Sequence, residues 1–196
     1  MSSDGQNSSK TSLSLIQRAV QNEPYAWEQF VDLYAPLVHT WICQRRIESN
    51  TAADIVQEVF SSVHRSLSRF SQNGGTFRGW LWTITRNKIL DHVRRESKHP
   101  HATGGSTANF AIGNLADECE LPESEPTSKR EHTELVHRAV FQVQGEFEPR
   151  TWQAFWRTTV DGFRTYVVAE ELKMKPATVR QSKSRVLRRL RRQLGE

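Results

Sequence analysis

Apolar side chains in this 196-residue chain recur three or four positions apart and almost nowhere alternate, so helices rather than strands have to bury them. Trp27, Phe30, Tyr34, Leu37 and Trp41 keep that spacing, and Pro36 among them predicts a kink or a restart. Ile55, Val56, Val59, Phe60, Val63 and Leu67 share one side of a second helix, with Thr51 as its expected cap and Asp54 reaching back. Asp54, Gln57, Glu58, Ser61 and Arg65 share the other side. A turn at 71–75 (SQNGG) leads into a helix from Thr76 to Lys98. Further on, helices are predicted over 134–145, from Pro149 to a stop at Gly162, over 165–173 and over 176–194. The predicted fold class is all-α.

Charge divides this helical chain. Residues 78–98 carry six Lys/Arg and two acids, 114–134 carry seven acids and two bases, and 176–196 carry seven Lys/Arg and one acid. The acidic stretch coincides with a run rich in Gly, Pro, Ser and Thr that lacks periodicity. Only 36% of residues are hydrophobic, which suits two modest cores better than one large one. The expectation is a disordered terminus at 1–12, a helical domain at 13–97, a flexible acidic linker at 98–129 and a second helical domain at 130–196. The net charge of +5 leans toward an anionic partner. The opposite charges of linker and flanking units predict that they associate when the chain is free.

The last helix splits cleanly. Val179, Val186, Leu190 and Leu194 fall in one sector, and Arg180, Gln181, Ser184, Arg185, Arg188 and Arg192 in the opposite one. Ala169 stands ten residues before Val179, the offset at which a small residue and a buried Val let two helices pack at a steep angle: a helix-turn-helix. The second helix of such a pair enters a major groove, where Gln181 can pair with adenine and Arg180 or Arg185 with guanine. Arg188, Arg189, Arg191 and Arg192 are expected on phosphates. A basic helix paired with an acidic protein is the alternative. Lys173 stands where such turns usually carry Gly; a positive φ there would cost on the order of 1 kcal/mol.

The 76–98 helix has two apolar faces, Phe77, Trp80, Leu81 and Ile84 on one and Trp82, Ile89 and Val93 on the other. Thr83, Asn87, Asp91 and Arg94 form a polar stripe, and Arg86, Lys88, Arg94 and Arg95 supply phosphate-seeking charge. Trp80 and Trp82 are either core residues or platforms for unpaired bases. The acidic Asp54–Arg65 face is either solvated or docks a protein.

The seven histidines show no ligand spacing with cysteine or paired acids, and there is no phosphate-binding loop or GxGxxG, so no metal site, cofactor or enzymatic activity is expected. No apolar run is long enough for a membrane span, residues 1–12 lack a signal-peptide core, and two cysteines, Cys43 and Cys119, build no disulfide framework, so a cytoplasmic protein is expected.

The strings DIVQEVF (54–60), FRGWLWTITRNKILDHVRR (77–95) and VAEELKMKPATVRQSKSRVLRRL (168–190), in that order, resemble the extracytoplasmic-function (ECF) sigma factors of bacterial RNA polymerase. That resemblance implies two helical domains, region 2 and the region 4 helix-turn-helix. It implies that Asp54, Gln57, Glu58 and Phe60 dock on the clamp helices of the polymerase's largest subunit. It implies that Phe70, Trp80, Trp82, Thr83, Asn87, Lys88, Asp91, Arg94 and Arg95 serve the −10 element and its melting. Thr178, Arg180, Gln181, Lys183, Ser184, Arg185 and Arg188 would then read the −35 element of promoter DNA. The family leaves a cognate anti-sigma factor open as a further partner. A stand-alone helix-turn-helix regulator is the competing reading.

Overall fold

A computed structural model describes residues 14–71, 75–98 and 121–195. The expected disordered terminus, most of the expected linker, part of the 71–75 turn and Cys119 lie outside them. The described residues form eight α-helices and no strand, so the chain is all-α: α1 Leu15–Val20, α2 Ala26–Cys43, α3 Ser49–Ser66, α4 Phe77–Lys98, α5 Lys129–Gln144, α6 Pro149–Thr159, α7 Thr165–Glu171 and α8 Pro176–Gln193. A 3-10 turn, Leu67–Arg69, follows α3.

Packing divides the described residues into two compact units, those between Tyr34 and Glu131 and those up to Leu33 together with those from His132 onward. In the first, Tyr34, Leu37, Val38, Trp41 and Ile42 of α2 are buried with Ile55, Val59, Phe60 and Val63 of α3 and Phe77, Leu81, Trp82 and Ile89 of α4. Aromatic edges lock this core: Tyr34 lies 5.0 Å from Phe77, and Trp41 meets Trp82 edge-on at 5.5 Å. Helix α2 continues through Pro36 without a restart. Pro36 and Asp32, whose carbonyl it leaves unbonded, are both exposed residues, so water can satisfy that group. Thr76 begins α4 by accepting the Gly79 N–H at 3.1 Å. Thr51 does not cap α3; the helix starts at Ser49, and the first-turn N–H of Ala52 bonds the Glu48 carbonyl at 2.8 Å.

In the second unit, Ser14 and Gln17 form a reciprocal capping box on α1. Helix α8 packs on α6, α7 and α1. Ala154, Val168, Ala169 and Val179 form one buried cluster, with Leu172 and Met174 packed against it. The Ala169–Val179 offset thus closes the helix-turn-helix angle as the sequence predicts. The turn between is a Schellman motif: Met174 N–H bonds the Ala169 carbonyl at 2.8 Å and Lys173 N–H the Glu170 carbonyl at 3.2 Å, with Lys173 at φ +51°. Lys173 therefore carries the left-handed strain anticipated for it.

Helix α5 begins five residues before the predicted 134. Ser128 and Glu131 make a second capping box, Ser128 N–H to the Glu131 carboxylate at 2.7 Å and Glu131 N–H to Ser128 Oγ at 3.3 Å. The S-x-x-E signature at 128–131 overlaps the expected end of the linker, where no apolar period marks a helix.

Candidate nucleic-acid interface

Two surfaces bring the predicted residues together, one in each unit. The first is the outer side of α4. With ~100° between successive residues, Thr83, Asn87, Asp91 and Arg94 fall on one stripe, and all four are exposed. Trp80 borders the stripe, half-buried, and lies 5.3 Å from the half-buried Phe70. Phe70 also meets Phe77 edge-on at 5.2 Å. An aromatic step at the start of an exposed polar stripe can stack an unpaired base, while Arg94, ~21 Å farther along the helix at ~1.5 Å per residue, is placed for a phosphate several nucleotides away. Trp82 cannot do this here. It is 0% exposed, inside the core, and donates its indole N–H to the Pro122 carbonyl at 2.9 Å.

Helix α3 carries the acidic face. Asp54 and Gln57 are exposed, Glu58 is half-buried, and Phe60, at 6% exposure, belongs to the core. In this conformation Phe60 supports the face from beneath. Glu58 binds α4: Arg95 donates to both its carboxylate oxygens at 3.1 and 3.2 Å, and Lys88 approaches at 3.5 Å. Burial pushes the Glu58 carboxyl up, but the Arg95 hydrogen bond and charge, with Lys88, outweigh it and hold it below its usual value. By sequence, Glu58 belongs to one helix face and Lys88 and Arg95 to another. Residues 37 positions apart have no common periodicity, so nothing local announced the pairing.

The second surface is α8. Thr178, Arg180, Gln181, Ser184, Arg185 and Arg188 are exposed and Lys183 half-buried, while Val179, Val186 and Leu190 are buried on the opposite side. Arg180, Lys183, Ser184, Leu187, Arg188 and Arg191 together line an open surface depression along the helix. One arginine departs from expectation. Arg189, expected on phosphate, is 4% exposed and donates to the two oxygens of Glu146 at 2.7 and 2.6 Å and to Gln193 at 2.7 Å. A further bond from Gln193 to Gln142 at 2.8 Å ties α8 to α5. On α7, Glu171 accepts from Arg157 of α6 at 3.0 and 2.8 Å, bracing the first helix of the pair. Arg157 also sits over the Phe163 ring at 4.3 Å.

Residues 30–99 match sigma-70 region 2. Among similar proteins, the ECF RNA polymerase sigma factor BldN of Streptomyces coelicolor is 31% identical over 47% of this chain and 35% of its own. The matched part thus spans about a third of that relative's length. Two others align nearly end to end: the ECF RNA polymerase sigma-E factor of Haemophilus influenzae, 24% identical over 91% of this chain and 90% of its own, and the ECF RNA polymerase sigma factor SigM of Mycobacterium tuberculosis, 25% identical over 95% and 86%. No helix among the described residues is long and apolar enough to cross a membrane.

Proposed function

We propose, from the premise that this chain belongs to the ECF sigma factors of bacterial RNA polymerase, that it binds core polymerase and directs initiation at particular promoters. One observation carries the reading: a chain matching sigma-70 region 2 over 30–99 also bears a helix-turn-helix whose second helix turns Arg180, Arg185 and Arg188 to solvent.

In this reading 13–97 holds the region 2 domain and 130–196 the region 4 domain, with 98–129 as a connection whose last residues, 121–127, pack back on the first unit. Asp54 and Gln57 form the polymerase-docking face, with Glu58 at its border and Phe60 beneath it. The stripe of Thr83, Asn87, Asp91 and Arg94 meets the −10 element, with Lys88 and Arg95 beside it. Phe70 and Trp80 hold a base displaced during melting, and Trp82 supports them from the core. Thr178, Arg180, Gln181, Lys183, Ser184, Arg185 and Arg188 read the −35 element. The work is binding and strand opening in the cytoplasm, with no cofactor, and the polymerase performs the chemistry. An acidic face suits a cationic protein surface and opposes DNA, which is why Asp54 is assigned to polymerase.

The test is transcription in vitro with core polymerase and a promoter library, alongside a pull-down. Wild type should give start-site-specific transcript, and Asp54→Arg should lose core binding while still binding duplex DNA. Equal capture of Asp54→Arg and wild type, with no specific transcript, would instead favour a stand-alone regulator acting through α8.

A further inference from the structure

The residues just before α5 are part of the first unit's core. Leu121 is 4% exposed, and the Pro122 carbonyl accepts the buried indole N–H of Trp82 at 2.9 Å. The buried indole N–H of Trp41 on α2 donates to Thr127 Oγ1 at 3.3 Å. The Thr127 hydroxyl in turn donates to the Glu125 carboxylate, which pairs with Arg78 of α4 at 3.5 Å. Farther along, Gln44 donates to Glu131 at 2.6 Å. The chain of contacts Trp41–Thr127–Glu125–Arg78 joins α2 to α4 through this short segment.

Its position on α4 decides what it does. With ~100° per residue, Arg78, Trp82, Thr85 and Ile89 cluster within about 60° of one another, and the Thr83–Asn87–Asp91–Arg94 stripe lies roughly half a turn away. The segment therefore grips the side of α4 opposite its exposed polar stripe. An acidic segment covering that stripe would be an inhibitory lid. One behind the helix holds it in place, because buried indole N–H groups left unpaired cost more than the bond itself contributes.

We propose that residues 121–131 are a positioning strap for α4: they fix the helix from behind so that its polar stripe is presented, and Thr127 is the joint through which they do so. The role in −10 recognition rests on the function proposed above; the hold on α4 does not.

The experiment uses the full chain and three variants: Thr127→Val, which keeps the shape and removes the hydroxyl, Thr127→Ser, which keeps the hydroxyl and removes the methyl, and Glu125→Gln. Amide hydrogen exchange is followed over α4, with α8 as internal control, together with binding of a short labelled single-stranded DNA of mixed sequence. Thr127→Val and Glu125→Gln should speed exchange in α4 by about two- to tenfold, the range one hydrogen bond's net contribution implies, with α8 unchanged. Both should weaken single-strand binding by a similar factor, and Thr127→Ser should behave as wild type in both assays. A loss in Thr127→Ser with Thr127→Val intact would mean the methyl packs and the hydroxyl does nothing, overturning the proposal. Tighter DNA binding by Glu125→Gln would show a lid instead. Unchanged α4 exchange in all three would also overturn it. Faster α4 exchange in a chain whose wild type binds no DNA would uphold the strap and count against the promoter reading.

Discussion

Arg189 and Glu146 form a bidentate ion pair at 2.6–2.7 Å on the side of α8 that faces its own unit, while the neighbouring Arg188 is exposed. Two adjacent arginines thus do opposite work: one anchors the helix and the other is offered to solvent. Rotation by one residue, ~100°, separates the roles.

Breaking that anchor should cost stability. Glu146→Ala leaves a guanidinium that is 4% exposed without its carboxylate. Since Glu146 itself is 31% exposed, the loss should be about 2–3 kcal/mol, below the ~3–5 kcal/mol of a fully buried pair. Urea denaturation should show a lower midpoint at unchanged slope. The double variant Glu146→Gln, Arg189→Met should recover most of it; a double variant as unstable as Glu146→Ala would show that the charge pair is not what anchors α8.

On the solvent side of α8, Arg185→Ala should lose about 1–3 kcal/mol at one base position and little elsewhere. Arg191→Ala should weaken binding about equally for all sequences and flatten the salt slope by ~0.9. Competition binding on a duplex library at several salt concentrations separates the two. A change of sequence preference in Arg191→Ala would reverse the assignment of these two arginines.

Lys173→Gly should stabilise the chain. Lys173 holds φ +51° with its Schellman bonds intact, so glycine relieves on the order of 1 kcal/mol of left-handed strain, less what its freer unfolded chain returns. A net gain of roughly 0.5 kcal/mol, seen as a rise in Tm, is expected. Destabilisation would mean that the lysine side chain contributes more than the backbone loses.

Glu58 sets a pH dependence. Its folded-state pKa lies below its unfolded one, so its contribution is fully present above the unfolded carboxylate pKa and fades as pH falls through the depressed folded value. Because Glu58 and Arg95 are 39% and 58% exposed, screening limits this to a few tenths of a kcal/mol, about what surface pairs contribute. Carboxyl NMR should find Glu58 titrating below the ordinary glutamate value, moving up in Arg95→Ala and with added salt. A Glu58 shift insensitive to Arg95→Ala would disprove the pairing in solution.

The helices and their buried sides were legible in the sequence. Each is a local property: a 3.6-residue period needs only near neighbours to declare itself, so the Val179–Val186–Leu190 side of α8 and the Ile55–Val59–Val63 side of α3 follow from spacing alone. The helix-turn-helix was legible for the same reason, since Ala169 and Val179 stand ten residues apart. Tertiary structure decided the rest. Which tryptophan is core, which arginine anchors and which acid is paired depend on partners at long separation: Trp82 with Pro122, Arg189 with Glu146, Glu58 with Arg95, Trp41 with Thr127. A side chain's chemistry states what it can bond, but only the folded backbone decides which donor and acceptor arrive within hydrogen-bonding distance of each other, and no period in the chain encodes that.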